Sequence, residues 1–234
     1  MERIRSHDRG GARAPGPRSW HRSATAPMPD RQTHRALSLK IHYYGTPVVL
    51  VSTRNPDGSP NLAPISSVWW LDQTAVVGVG ARSQTARNLR RERECVLNLP
   101  SAELVDAVDR LALTTGRAPV PAYKTAMGFE HVADKFARSG LTESASECVG
   151  PPRVAECPVQ IEGRVADVRA IGDADDHAVA VEVRVVRTHL DEAVLDPDRR
   201  HHVDPDRWRP LIMSFCEFYG LGPRLRPSRL ADVF

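Results

Sequence analysis

Lysine is nearly missing from this chain. It occurs only at positions 40, 124 and 135, which leaves 29 arginines among the 32 basic residues. Such a bias fits a GC-rich coding sequence. The 29 acidic residues nearly cancel it, so the net charge is only +3. A balance of that size calls for no nucleic-acid partner. Long apolar runs are missing too: nothing approaches the roughly 18 consecutive residues of a membrane span, so no membrane-crossing helix is expected. Cysteine is sparse, at 95, 148, 157 and 216. No C-x-x-C pair occurs, so a zinc knuckle, a thioredoxin-type motif and a disulfide framework are all unsupported. The thiols read as reduced and buried in a cytoplasmic protein. His189, His201 and His202 lack metal-ligand spacing, and no metal site is expected. Neither a Walker A loop nor a dinucleotide fingerprint is present, since Gly78-Val79-Gly80 has no third glycine.

What is present is enough for one large domain. The 234 residues are 41% hydrophobic and 26% charged, near the globular average. Residues 1–32 differ from the rest, with seven arginines, four prolines and three glycines and few large apolar side chains. They cannot bury enough surface to offset the entropy of ordering and read as a disordered basic tail. It lacks the apolar core of a secretory signal. Residues 33–234 then form a single domain.

Within that domain, residues 33–44 suggest a short helix ending at Gly45. Residues 47–53 are a β-branched run. Asn55-Pro56-Asp57-Gly58 is strong turn chemistry, and residues 61–70 resume as an extended segment, so a hairpin is expected. Residues 74–80 read as a third strand, 86–93 as a helix, 95–99 as a fourth strand stopped by Pro100, and 101–113 as another helix. Residues 114–156 read as irregular. Two late strands, 158–170 and 177–190, flank an acidic turn at 172–176. Strands cluster at both ends without regular β-α-β alternation, which implies a mainly antiparallel barrel with helices outside it.

The chemistry concentrates at Arg82-Ser83-Gln84-Thr85-x-x-Asn88. A strand of small residues delivers the chain to a helix start, where unpaired N–H groups and a partial positive charge suit a phosphate. The Ser83 and Thr85 hydroxyls and the forked Arg82 guanidinium could complete the cradle. A plain helix cap at Ser83 explains the same residues.

Several blocks together resemble the flavin reductase-like family with the FMN-binding split-barrel fold. They are Tyr44-Gly45-Thr46-Pro47, the Asn55-Pro56-Asp57-Gly58 turn with the segment after it, and Ser83-Gln84-Thr85-Ala86-Arg87-Asn88-Leu89. They continue with Asp134-Lys135-Phe136, Glu156-Cys157-Pro158-Val159, Val203-Asp204-Pro205-Asp206-Arg207-Trp208 and Phe218-Tyr219-Gly220. Their ordered succession over residues 40–222 carries the resemblance. It implies a six-stranded antiparallel split barrel of Greek-key type with a few peripheral helices, and a homodimer with FMN near the subunit interface. Ala63, Pro64, Ile65, Ser66, Ser67 and Val68 would lie along the isoalloxazine ring. Ala81, Arg82, Ser83, Gln84 and Thr85 would hold the phosphate, with Asn88 bracing the loop or touching the ribityl chain.

The activity implied is hydride transfer from NAD(P)H to flavin, with reduced flavin passed to a partner monooxygenase. The cofactor carries that chemistry and the protein supplies placement. Donors such as Ser66 would stabilise the charge arriving at the N1–O2 edge. Trp69, Tyr123 and Trp208 are candidates for the substrate pocket, and His189 for a donor to flavin or nicotinamide; core or interface packing is the simpler reading of the aromatics, and an ordinary surface or satisfied core histidine the simpler reading of His189. Adjacent strand residues face opposite ways, so at most one of Trp69 and Trp70 can stack on a ring. The Trp69-Trp70 pair and the 114–156 region depart from the family pattern. They motivate an alternative, a tightly held FMN acting directly on a small organic substrate. A non-enzymatic flavin binder is a third reading.

Overall fold

The computed structural model describes residues 34–172 and 177–232. The expected tail and residues 173–176 of the acidic turn lie outside the described residues. The chain divides into units 1–39 and 40–234, and the fold below is that of the second.

The strands and helices run β1 Tyr44–Pro47, β2 Val49–Arg54, β3 Pro60–Ile65, β4 Val68–Leu71, β5 Thr74–Gly80, α1 Gln84–Glu92 and β6 Glu94–Leu99. A 3-10 turn, Ala102–Leu104, leads into α2 Val105–Asp109. Short pieces follow: β7 Thr114–Thr115, α3 Ala122–Ala126, β8 Glu130–His131, α4 Lys135–Ser139, β9 Glu143–Ser144 and β10 Arg153–Val154. The long strands β11 Val159–Ile171 and β12 Ala178–Leu190 come next, then the hairpin β13 Leu211–Ser214 and β14 Glu217–Gly220.

The main sheet has the order β3-β2-β6-β11-β12-β5-β4, and every neighbouring pair is antiparallel. Its two edge strands, β3 and β4, are consecutive in sequence and separated only by Ser66 and Ser67. So short a joint between opposite edges forces the sheet to curl on itself, and this is the physical origin of the barrel. The seam is tight. Gly78 donates its N–H to the Ser67 carbonyl at 2.7 Å, and a Cβ at Gly78 would stand 2.9 Å from the Ser67 Cβ. Glycine is required there by close approach.

Period-2 patterning fixes which side chains enter the barrel. Ala75, Val77 and Val79 on β5 pair with Val183, Val181 and Val179 on β12, and all six are buried. β2 is buried along almost its whole length because both its faces are covered. Val49 and Val51 join the interior core, while Leu50 joins a second core with Leu62, Val108, Leu111, Phe136 and Leu211 beneath α2 and α4. The continuous apolar run is the expected signature of a strand covered on both sides.

Some expectations need correcting. Among the described residues before β1 no helix forms. Leu37, Leu39 and Ile41 are exposed, so a helix there would have no apolar face to bury. The chain instead becomes strand β1, paired with β13. The helix expected over 101–113 shrinks to the 3-10 turn and α2. The region 114–156 is built from two-residue strands and single-turn helices. The β13–β14 hairpin went unread. All four thiols are free, but only Cys95 and Cys157 are buried, and Cys216 is exposed.

Candidate functional site

The start of α1 is assembled from both sides. Ser83 is its N-cap, and its Oγ accepts from the Ala86 N–H at 3.0 Å. The capping role is therefore real, and it leaves the hydroxyl proton available to donate elsewhere. Thr85 is buried and its Oγ1 accepts from Asn61 Nδ2 at 3.2 Å. Asn88 is fully buried and donates to Thr53 Oγ1 and Asn55 Oδ1, both at 3.0 Å, while Gln84 Nε2 donates to Asn88 Oδ1 at 2.8 Å. These bonds tie α1 to β2 and to the β2–β3 turn. Ala81 is buried, and the exposed Arg82 lays its guanidinium 5.3 Å from the centre of the Tyr123 ring.

A cavity of about 430 Å³ opens against this corner. Ala63, Pro64, Ile65, Ser66 and Ser67 line it from the end of β3 and the seam, and Ser83, Gln84 and Thr85 line it from the helix start. The two segments expected to meet ring and phosphate thus face one space, whose volume is in the range of about 300–1,000 Å³ usual for ligand sites. Met213 of β13, Phe218 of β14 and Tyr43 just before β1 contribute from the small β1-β13-β14 sheet, with the Ser67 hydroxyl 3.5 Å from the Tyr43 hydroxyl. A further wall comes from the 114–135 region, through Thr114, Thr115, Gly116, Lys124, Phe129 and Lys135.

That wall carries charge. Lys124 donates to Thr115 Oγ1 at 3.3 Å and sits 4.9 Å from the Phe129 ring centre. Burial lowers its pKa, and Arg117 adds to the effect. Lys135 is 4% exposed. Among the described residues its ammonium has no hydrogen bond and no ion pair. Burial, with Lys124 nearby, pushes its pKa down to about 8. No carboxylate belongs to the described lining of the cavity. Donor hydroxyls, helix N–H groups and two ammonium groups without a counter-charge fit an anionic ligand such as a flavin phosphate.

Other expected residues lie elsewhere. Val68 is buried in the barrel core. Trp69 is 56% exposed, while Trp70 packs against the core with its Nε1 unpaired among the described residues. Trp208 also packs on the core, and Tyr123 is half-exposed beside Arg82. His189 is away from the cavity lining, with Nε2 2.7 Å from Glu162 Oε1. Glu162 is wholly buried and accepts the N–H groups of Glu147, Cys148 and Val149. Burial pushes the Glu162 pKa up, but those N–H groups and His189 outweigh it, and the net shift is downward. His189 therefore helps hold the 147–149 loop. Sequence reasoning assigned no site role to Asn61, Lys124 or Lys135. Asn61 and Lys135 fall inside blocks that carry the family resemblance, but nothing in those blocks marks either residue as a cavity group.

Comparison with known proteins agrees with this geometry. Residues 41–221 match the flavin reductase like domain. The chain is 35% identical over 193 residues to the uncharacterized protein YdfE of Bacillus subtilis, covering 82% of this chain and 92% of that one. Flavoredoxin of Desulfovibrio vulgaris superposes with a TM-score of 0.68 at 22% identity, covering 86% of this chain and all of the other. Nitrilotriacetate monooxygenase component B from Bacillus cereus gives 0.65 at 21%, covering 83% of this chain and all of the other. The curled antiparallel sheet is thus the split barrel, and the chain belongs to the flavin reductase-like family.

Proposed function

We propose that the protein binds FMN in this cavity and acts as an NAD(P)H-dependent flavin reductase supplying reduced flavin to a partner monooxygenase. The observation that carries the reading is the single cavity shared by the Ser66–Ser67 seam and the start of α1. Similarity to a monooxygenase component B supports the partner. When bound, the flavin supplies hydride acceptance and release. The chain's own groups do the rest. The N–H groups at the start of α1 and the protons of Ser83 and Thr85 hold the phosphate, with Arg82 at the rim. Residues 63–67 present backbone amides and the Ser66 hydroxyl to the polar edge of the ring, where they favour added negative charge. The 114–135 wall excludes water.

A homodimer in the cytoplasm belongs to the same reading. Tyr44 and Phe215, edge to face at 5.1 Å, remain exposed with Tyr219, and a second copy would cover them. Light scattering on the purified protein should give twice the chain mass. The activity test mixes protein, free flavin and NADH or NADPH and follows pyridine absorbance. Oxidation of either nucleotide is expected; oxidation of neither refutes the reductase.

The enclosing 114–135 wall favours a second reading, in which FMN stays bound and the enzyme reduces a small organic substrate directly. Stoichiometric FMN in the purified protein, with no turnover of added flavin, would select it.

A further inference from the structure

We infer that the groove between α1 and the β2–β3 turn is a separate site for an adenosine 5′-phosphate group, the adenylate half of a dinucleotide whose other half lies in the flavin cavity. The inference rests on the reading of that cavity as a flavin site. The groove has a volume of about 480 Å³, within the roughly 300–1,000 Å³ usual for ligand sites. It adjoins the flavin cavity, because Gln84 and Gly116 line both. Ser83, Arg87 and Arg91 follow one another at four-residue spacing, so they share one face of α1. That face leads from the phosphate cradle, which Ser83 lines, into the groove, which the two arginines line. A flavin with one phosphate ends at the cradle; a second phosphate and its adenosine would continue past Gln84.

The lining supplies a group for each part of such a ligand. Arg87 is exposed and makes no hydrogen bond or ion pair among the described residues. Arg91, one turn further on, is held through Nη2 by the Arg54 carbonyl at 2.5 Å and Asn88 Oδ1 at 3.2 Å, and through Nε by Glu92 at 2.6 Å. Its Nη1 has no partner among the described residues. Two guanidinium groups on one helix face, one of them fixed in place, suit a phosphate. Asp57 is the one acid in the described lining. Its Oδ1 accepts from the Ser59 N–H at 3.0 Å and the Ser59 hydroxyl at 2.6 Å, and these bonds hold the carboxyl below its ordinary pKa. Oδ2 is left as a charged acceptor, which repels a phosphate but takes ribose hydroxyls. Pro56, Val132 and the His131 ring complete the wall with apolar and flat surface of the kind that stacks on a base. A bare phosphate or a small carboxylate would leave the Asp57 acceptor and this surface unused. Two sources could bring the adenylate: FAD, through the phosphate next to the flavin's own, or the nicotinamide dinucleotide.

The full chain is tested as wild type, R87A and R209A, the last a control that removes an exposed arginine outside both cavities. Alanine, the strongest helix former, keeps α1 intact. Calorimetric titration compares 5′-AMP with adenosine. The wild type and R209A should bind 5′-AMP about tenfold more tightly than adenosine, because only 5′-AMP meets the guanidinium groups. R87A should bind the two within twofold of each other. FMN, FAD and NADH are then titrated. FAD weakened about tenfold in R87A, with FMN within twofold, assigns the groove to the flavin's adenylate. NADH weakened instead, with both flavins within twofold, assigns it to the nicotinamide dinucleotide, and losses for FAD and NADH together mean that the two share it. No binding of 5′-AMP to the wild type, a preference for 5′-AMP that survives in R87A, FAD and NADH both unchanged in R87A, or equal losses for FMN and FAD overturns the site. If 5′-AMP and NADH bind through Arg87 yet the wild type binds neither flavin, the groove stands and the flavin reading falls.

Discussion

Lys135 pays a visible penalty for its position, and that penalty has a sign that can be measured. Its folded pKa of about 8 lies below the ordinary 10.5 of lysine. Between those values the unfolded chain binds more protons than the folded one. Its contribution to stability therefore rises with pH across that window, and the penalty is fully present below it. The buried thiols Cys95 and Cys157, whose pKa values burial raises, act in the opposite sense over the upper part of the same window. Urea unfolding of wild type and K135M should therefore give a stability difference, wild type minus variant, that rises with pH; an identical pH dependence in both would place the titrating group elsewhere. At the opposite corner of the cavity, Thr85→Ala removes a hydroxyl already fixed by Asn61. Loss of one charge-assisted hydrogen bond should weaken FMN binding by about 1.5–3 kcal/mol. A titration of flavin fluorescence measures it, and unchanged affinity would move the phosphate away from Thr85.

At the level of elements, the seam between β3 and β4 is the sensitive joint. Gly78→Ala should destabilise the fold by about 1–3 kcal/mol, because a methyl group must displace Ser67 against packed neighbours. Chemical denaturation reads this directly. The β13–β14 turn offers the reverse case. Phe215 and Cys216 occupy left-handed backbone at φ 48° and 66°. Cys216→Gly should relieve strain and stabilise by up to about 1 kcal/mol, seen as a higher urea midpoint.

These elements also explain what could be read beforehand. β5 was legible to the residue because Thr74–Gly80 is a run of β-branched and small side chains. The start of α1 was legible because Ser83 reads as a helix cap, which the structure shows it to be. The β13–β14 hairpin was not, since its turn lacks the Asn-Gly or Asp-Gly pair that normally signals positive φ. The 114–135 wall was invisible for a different reason. Strands of two residues and helices of one turn have no period to detect, and their order comes from packing against β3 and α2. His189 misled because a histidine ending a strand carries no sign of its partner, which proves to be the buried Glu162 rather than a ligand cavity.

For the whole molecule, ligand and fold are linked by mass action. At a concentration of FMN a hundred times its dissociation constant, binding should add about 2.7 kcal/mol to stability. For a chain of this size that corresponds to a rise in melting temperature of roughly 5–10 °C. Thermal melting with and without FMN measures it. No shift at that concentration would mean that the folded chain does not bind FMN.

The two-residue crossing at Ser66 and Ser67 has one last consequence. The two edge strands β3 and β4 are linked by a hinge that also lines the cavity. An occupant resting on that hinge acts as a clasp. Amide protons of β4 and of the facing end of β5 should therefore exchange fastest in the empty protein and slow most when the clasp is engaged, while those of β11 stay protected in both.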